Sequence, residues 1–209
     1  MYVVDRDFGF APNPFHGFCS LATCKPGIRS TAKVADWVIG MGGFRLKAKG
    51  RCIFAMRITD KLTFNEYWEN PAYLDKKPVR NGSRKMMVGD NIYHRDAAGQ
   101  WHQADSHHSK ADGSVNQHNL HHDTKSDKVL VSRHFYYFGK NSPVVPSALL
   151  ATIGYKNGRN YLVFDADGCC ALLAWLRYSF LRFLNQVPAD PFDFADSEKR
   201  YSAETNKIS

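Results

Sequence analysis

The sequence predicts an α+β fold in which a mixed, strongly twisted or barrel-like β-sheet carries peripheral helices and one long C-terminal helix. Strand candidates rich in β-branched and aromatic residues outnumber helix candidates, and turns rich in Gly and Pro separate them. The one long helical stretch, residues 168–186, lies near the C-terminus. No internal repeat is visible, so one domain is expected and a doubly wound fold is not.

The first quarter of the chain combines strands with a short basic helix. Residues 2–6, 36–39 and 51–58 have the β-branched and aromatic content that is typical of strands. A Pro-Gly turn precedes a helix that we predict over residues 28–34. This part of the chain therefore supplies strands to the predicted sheet and one helix at its edge.

The second quarter begins with a helix-start signal. Thr63, followed three positions later by Glu66, forms a capping-box pattern that predicts a helix over residues 64–69. Residues 86–88 and 91–95 are predicted to form short strands.

The third quarter contains a polar stretch and a strong strand candidate. Residues 103–127 are rich in His and poor in apolar groups, which predicts a long surface loop. Residues 128–138 form the clearest strand candidate of the second half, and residues 160–164 a last strand.

The C-terminal region combines an apolar helix with a polar tail. The helix over residues 168–186 is apolar on nearly all sides, so most of it is expected to be buried. Residues 187–209 are polar and are predicted to be a partly ordered tail, which leaves residues 1–186 as the domain. The apolar run over residues 169–184 is short and carries two arginines, so no membrane span is expected.

Charge and cysteine content restrict the class of protein. The net charge of +8 and the pI near 9.3 favour an anionic partner, such as a nucleic acid, a nucleotide or an acidic surface. The five cysteines are odd in number and include no Cys-x-x-Cys pair. Together with the charged N-terminus, which lacks an apolar signal core, this predicts reduced thiols in a cytoplasmic protein.

Cys24 is the candidate nucleophile. It stands beside Lys25 and just before a predicted helix, two features that activate a thiol. A nucleophilic cysteine also needs a nearby base, which the sequence cannot locate in space. The alternative is a small buried apolar residue.

Cations and flat rings suggest a surface for nucleotides. Lys25, Arg29 and Lys33 recur at a spacing of four and share one face of the predicted helix. Rings interleaved with cations suit base stacking and phosphate neutralisation, although rings on strands more often belong to the core. The candidate rings include Trp37, Tyr93 and Trp101.

The His-rich stretch offers acid–base groups and metal ligands. His107 and His108 are candidates for an acid or base, because an imidazole titrates near neutral pH. Neutral imidazoles and carboxylates also bind zinc or iron, but no established ligand spacing is met. We therefore predict no metal site, and no cofactor follows from the sequence.

Several blocks of the sequence resemble a known family. They are residues 8–15 (Phe-Gly-Phe-Ala-Pro-Asn-Pro-Phe), 24–29 (Cys-Lys-Pro-Gly-Ile-Arg), 36–40 (Asp-Trp-Val-Ile-Gly), 89–93 (Gly-Asp-Asn-Ile-Tyr), 129–132 (Val-Leu-Val-Ser) and 135–139 (Phe-Tyr-Tyr-Phe-Gly). Together they resemble the second nucleotide modification associated domain family, from residue 2 to about residue 146. That family occurs in phages and bacteria, in contexts that suggest DNA base modification or its recognition. The block Asp-Trp-Val-Ile-Gly, followed by a strand and Glu-Tyr-Trp, is also similar to the PUA-like barrels that read modified bases.

The resemblance implies a cleft that binds a nucleotide or a modified base. Lys25 and Arg29 are expected to hold phosphate, and Asn13 or Asp36 to accept a hydrogen bond from a base edge. The stacking and lining candidates are Trp37, Tyr93, Trp101 and His108.

Three functions remain open. The first is a nucleotide- or modified-base-binding domain in a phage or bacterial defence context. The second is an enzyme that transfers or removes a group on a nucleotide or DNA base, with Cys24, His107 and Asp36 as catalytic candidates. The third is a basic protein-interaction module. The oligomeric state is not predicted.

Overall fold

The computed structural model describes residues 1–158 and 160–209, and their strands form two main sheets and two small hairpins. The strands are β1 (Tyr2–Val4), β2 (Cys19–Leu21), β3 (Trp37–Gly42), β4 (Cys52–Arg57), β5 (Asp60–Leu62), β6 (Tyr93–Arg95), β7 (Trp101–Gln103), β8 (Val129–Ser132), β9 (His134–Tyr137), β10 (Tyr201–Ser202) and β11 (Lys207–Ile208). The helices are α1 (Pro26–Thr31), α2 (Phe64–Glu69), α3 (Arg84–Met87), α4 (Gln117–Asp123), α5 (Ser147–Thr152) and α6 (Ala166–Phe180).

The larger sheet has the order β1-β3-β4-β9, with β1 parallel to β3 and the other pairs antiparallel. The smaller sheet has the order β2-β8-β5 and is antiparallel throughout. Strands β6 and β7 form one hairpin, and β10 and β11 the other. The mixed α+β class is therefore confirmed.

The predicted barrel-like closure is wrong for the part of the chain that the structure describes. The strands are two to six residues long, and each sheet keeps its own edges. The two sheets instead bury one cluster between them, to which Leu21 of β2, Phe54 of β4 and Leu130 of β8 all belong. Burying a side chain of this size contributes about 1.5–3 kcal/mol. Gly40 permits the close packing inside the larger sheet, because a Cβ there would collide with the Phe54 ring.

The middle of the chain confirms one prediction and corrects two. The capping box is present, since the Thr63 side chain accepts from the Glu66 N–H and Glu66 accepts from the Thr63 N–H. Residues 86–88 do not form a strand, because α3 covers residues 84–87. The strand predicted over residues 128–138 is two strands in different sheets. The Ser132 hydroxyl donates to the carbonyls of Arg57 and His134, which fixes the crossing point between β8 and β9.

The C-terminal helix is less buried than its composition predicts. Cys169, Leu172 and Leu176 of α6 pack inward, but Tyr178 is 88% exposed. The error arises because only one face of α6 meets the larger sheet. No helix among the residues that the structure describes has both the length and the apolar character needed to cross a membrane. The last predicted strand, over residues 160–164, is a single bridge between Tyr161 and Tyr2.

Two polar segments pack against the body of the protein. Residues 103–127 are not a surface loop, since they contain α4 and bury residues 106–109. Hydrogen bonds within this segment pair several of its polar groups, for example the Ser106 N–H with the Ser109 hydroxyl and the Ser109 hydroxyl with the Ala104 carbonyl. Residues 199–209, which we call the C-terminal strap, form the β10–β11 hairpin, and the Tyr201 N–H donates to the His107 carbonyl.

Candidate active site

Cys24 lies where the backbone turns sharply between β2 and α1. Cys24 and Lys25 both have left-handed backbone conformations, with φ of 54° and 40°. Non-glycine residues in this region cost about 1–3 kcal/mol each and are concentrated at functional sites. The side chain of Cys24 is half-buried and reaches the wall of a cleft.

His108 connects the thiol to a buried carboxylate. Its Nε2 lies 3.8 Å from Cys24 Sγ, and its Nδ1 lies 2.8 Å from Asp123 Oδ2. His108 is 2% exposed and Asp123 is fully buried. A thiol, an imidazole and an orienting carboxylate in this order form the arrangement that activates a nucleophilic cysteine. We call these three residues the thiol triad.

The pairing of β2 with β8 brings Asp123 to Cys24. Leu21 and Leu130 are partners in that antiparallel pair, and α4 ends at Asp123 just before β8 begins. The two chain segments that flank this pair therefore meet. Asp123 Oδ1 accepts a 2.8 Å hydrogen bond from the Cys24 N–H, and Oδ2 accepts a 2.9 Å bond from the Tyr93 hydroxyl.

The electrostatics of the triad favour a charged imidazole. Burial alone would lower the pKa of His108, but the nearby charges of Asp123 and Cys24 raise that pKa to about 10. Burial likewise opposes ionisation of Asp123, but His108, His122 and Arg29 hold the pKa of its carboxyl below the usual value. Asp123 therefore stays ionised and stabilises a positive His108.

Arg29 has a different role from the predicted phosphate ligand. Its side chain is fully buried and donates to four backbone carbonyls. These belong to Cys24 at 2.8 Å, Ser126 at 2.7 Å, Lys128 at 2.6 Å and Asp123. The guanidinium group thus connects the turn at Cys24 to the end of α4. Because its N–H groups donate to these carbonyls, they are directed away from the cleft.

The cleft beside the triad is large enough for a nucleotide. Its volume is about 520 Å³, within the range of roughly 300–1,000 Å³ that is usual for small-molecule sites. Its lining combines the triad residues Cys24 and His108 with two cations and several rings. Besides His108, the rings are Tyr2, Phe8, Phe10, His107, His122, Tyr161 and Tyr201.

The two cations that line the cleft, Arg6 and Lys25, differ in their contacts. Lys25 Nζ lies 4.8 Å from the centroid of the Tyr2 ring and donates no hydrogen bond within the described chain. Arg6 donates to both Oδ1 and the carbonyl of Asn206 in the C-terminal strap, at 2.8 and 2.7 Å. Lys25 is therefore the cation with donors left for an anionic ligand.

Backbone donors stand next to the thiol. The N–H groups of Lys25 and Gly27 have no hydrogen-bond acceptor within the part of the chain that the structure describes. The residue that follows a nucleophile often supplies its N–H to the oxyanion of an acyl-transfer intermediate. These two groups are the candidates for that role.

The three residues of the thiol triad also have side chains of the kinds that bind metal ions. Cys24, His108 and Asp123 each offer a ligand atom, and these atoms lie within 4.8 Å of one another. However, Asp123 binds Nδ1 of His108, whereas Nε2 is the atom that faces the thiol. The carboxylate therefore bonds the imidazole at the nitrogen that does not face the thiol, and its Oδ1 accepts from the Cys24 N–H. That geometry suits proton transfer better than a three-ligand metal site.

The other predicted site residues lie away from the triad. Asn13 is buried, donates to the Val88 carbonyl and accepts from Lys76. Asp36 and Trp37 line a second cavity of about 290 Å³.

Two predicted rings are packed against other side chains. Trp101 packs edge-on against Phe64, with Arg95 over its face. The ring of Tyr93 is fully buried, and only its hydroxyl serves the triad. The structure thus brings together Cys24, Lys25, His107 and His108 from the predicted set.

Four residues of the site are not among those predicted from the sequence, namely Asp123, Phe8, Phe10 and Tyr201. Asp123 lies in the His-rich stretch, but nothing in the local pattern separates it from its neighbours. Phe8 and Phe10 belong to the first block of the family resemblance, which is the signal that could have identified them.

Comparison with known proteins identifies one family. A family model described as nucleotide modification associated domain 2 matches residues 1–198, which confirms the resemblance seen in the sequence. No curated protein and no solved structure matches the chain. The likeness to PUA-like domains therefore stays a prediction. Cys24, His108 and Asp123 all lie within the matched residues, whereas the whole of the C-terminal strap lies beyond them.

Proposed function

Because the chain belongs to the nucleotide modification associated domain 2 family, we propose that it is an enzyme that removes or transfers an acyl group on a nucleotide or nucleobase. The single observation that carries the proposal is the thiol triad, in which His108 links Cys24 to the buried Asp123. A nucleotide-binding domain alone has no need of this arrangement. Acyl transfer is the reaction for which a thiol, a base and an orienting carboxylate are suited.

The chemistry follows from the positions of the three side chains. His108 already carries a proton in the thiol triad, so Cys24 Sγ attacks the carbonyl carbon of the acyl group as a thiolate beside the charged imidazole, which gives a tetrahedral oxyanion. The bond from that carbon to the nucleotide nitrogen or oxygen then breaks, and His108 gives its proton to the leaving atom. Water, or a second acceptor, releases the acyl group from the resulting thioester. The N–H groups of Lys25 and Gly27 would donate to the oxyanion.

The nucleotide part of the proposal rests on the lining of the cleft. Lys25 has a charged group available for phosphate, and the rings of Phe8 and Phe10 offer faces against which a base can pack. A basic chain with a net charge of +8 also attracts anionic ligands. The reduced thiol that the mechanism needs agrees with the predicted cytoplasmic location.

The test uses a cytosine deoxynucleotide that is acetylated on its exocyclic amine. Incubation with the wild-type protein should release the free nucleotide, which liquid chromatography measures. Cys24→Ser should reduce the rate at least a hundredfold, because a hydroxyl is a far weaker nucleophile in this setting. Mass spectrometry of the quenched wild-type reaction should find one acetyl group on Cys24.

Cys170→Ser is the matched control, because Cys170 is exposed and lies on α6 outside the cleft. Its rate should equal that of the wild type. Release of the nucleotide at the same rate by Cys24→Ser would refute thiol catalysis. An inert wild-type protein, tested also with acylated adenine nucleotides, would refute acyl transfer.

A second candidate is a reader that binds a modified base without turnover. The observation that favours it is the set of rings and cations in one cleft, which is sufficient for binding. Equal binding of an acylated nucleotide by the wild type and by Cys24→Ser, with no product, would support this candidate.

A role in phage or bacterial defence would apply to either candidate. A basic protein-interaction module would instead bind an acidic protein in a salt-dependent manner and bind no nucleotide.

A further inference from the structure

His107 is a second histidine of the cleft, and the thiol triad does not use it. It is 3% exposed and lines the same cavity as Cys24. The rings of Phe8 and Phe10 pack against it, with centroid distances of 4.6 and 5.1 Å. Packing on two sides fixes the plane of the imidazole.

The C-terminal strap fixes which nitrogen of His107 carries the proton. Nδ1 lies 2.6 Å from the backbone carbonyl oxygen of Lys199. A carbonyl oxygen can only accept, so Nδ1 must be the donor. Burial, together with the charge of His108, lowers the pKa of His107 to about 3. The ring is therefore neutral at physiological pH, and Nε2 carries a lone pair.

Nε2 of His107 is available to a ligand. It has no hydrogen-bond partner among residues 1–158 and 160–209, and it does not belong to the polar atoms that are sealed from solvent without a partner. A fixed acceptor at the wall of a ring-lined cleft selects for a ligand that presents an N–H or O–H donor.

We propose that His107 Nε2 accepts a hydrogen bond from the exocyclic amino group of the nucleobase, so that the cleft selects amino-bearing bases over oxo-bearing bases. The inference rests on the proposed function in one respect, namely that the ligand is a nucleotide. The oxo oxygen of uracil or thymine would meet the Nε2 lone pair and repel it. The amino group of cytosine or adenine donates to it. The base is assigned to this wall because Phe8 and Phe10 supply apolar faces there.

The test compares deoxycytidine monophosphate with deoxyuridine monophosphate, which differ by one amino group in place of one oxo group. Titration calorimetry of the wild-type protein should give about tenfold tighter binding of the cytosine nucleotide, or more. His107→Phe keeps a flat ring between Phe8 and Phe10 and removes the acceptor. This variant should bind both nucleotides equally, with an affinity between the two wild-type values, because it loses both the bond to the amino group and the repulsion of the oxo group.

His102→Phe is the matched control, because His102 is exposed on β7 and lies outside the cleft, and it should keep the preference. Equal wild-type affinities, or a preference that survives in His107→Phe, would overturn the inference. Should His107→Phe fail to fold, nitrogen NMR of the wild type decides, since only the cytosine nucleotide should move the His107 Nε2 resonance. Cys24-dependent turnover without any base preference would leave the proposed function intact and refute the inference alone.

Discussion

Asp123 and His108 form a buried pair in which the carboxylate oxygen Oδ2 lies 2.8 Å from the imidazole Nδ1. This bond turns Nε2 of the same imidazole toward Cys24. The orientation of the imidazole toward the thiol is therefore set by a carboxylate on the far side of the ring.

Asp123→Asn should reduce acyl transfer by roughly 10³–10⁴-fold, because an amide neither fixes the productive tautomer of His108 nor stabilises its positive charge. The rate of nucleotide release measures the effect. Asp112→Asn, at an exposed turn, should leave the rate unchanged. A normal rate in a folded Asp123→Asn protein would show that the carboxylate does not orient the base.

Lys25→Met should weaken the binding of a nucleoside monophosphate by about tenfold and reduce its dependence on salt concentration. The reason is that Lys25 is the cleft cation with donors available to phosphate. Titration calorimetry at two salt concentrations gives both quantities. Lys33→Met, at an exposed position just after α1 and outside the cleft, should change neither. The same affinity in Lys25→Met and wild type would remove Lys25 from the phosphate site.

Arg29→Lys should lower the free energy of unfolding by about 3–5 kcal/mol. A lysine cannot reproduce the guanidinium fork, so several of the four buried carbonyls would lose their donor. Urea denaturation measures the change, and Arg45→Lys at an exposed position should have almost no effect. A stable Arg29→Lys protein that has instead lost its salt-dependent nucleotide binding would restore Arg29 as a phosphate ligand.

His107 should make the protein sensitive to acid. Its pKa is lowered from 6.5 to about 3 in the folded chain, so between these values the unfolded chain binds a proton that the folded chain does not. Through this residue alone, the free energy of unfolding should fall by about 1.4 kcal/mol for each unit by which the pH is lowered in that range. His107→Phe should remove that part of the slope, as measured by urea denaturation between about pH 6.5 and about pH 4.5.

The matched control for this effect is His118→Phe, because His118 is exposed on α4. Its slope should equal that of the wild type over the same pH range. A slope that is the same in His107→Phe and wild type would show that the folded protein protonates His107 as readily as the unfolded chain does.

Local signals explain which parts of the fold could be predicted. The helix that follows the Thr63 capping box and the strands β3 and β4 depend on neighbouring residues in the sequence. All three elements were predicted, and each predicted boundary lies within about three residues of the observed one. The division between β8 and β9 depends on which sheet each strand joins. The exposure of α6 likewise depends on how much of its surface the larger sheet can cover. Neither the division between β8 and β9 nor the exposure of α6 is encoded in a local sequence pattern.

The candidate site likewise could be predicted only in part, because its residues are distant in the sequence. Cys24 and His108 carry reactive groups that can be recognised from residue type alone, and both are among the residues predicted from the sequence. Their connection through Asp123 depends on the pairing of β2 with β8, which joins segments about a hundred residues apart. Arg29 illustrates the reverse case: its helical spacing suggested a surface cation, but the carbonyls that surround it come from a distant part of the chain.

The C-terminal strap has a consequence for the newly made protein. Lys199 fixes the tautomer of His107, and Tyr201 and Asn206 complete the wall of the cleft whose thiol stands at position 24. During synthesis, Cys24 therefore emerges from the ribosome before Lys199, Tyr201 and Asn206 have been made. Until these residues have folded back onto the body of the protein, the Cys24 thiol lacks part of the wall that encloses it.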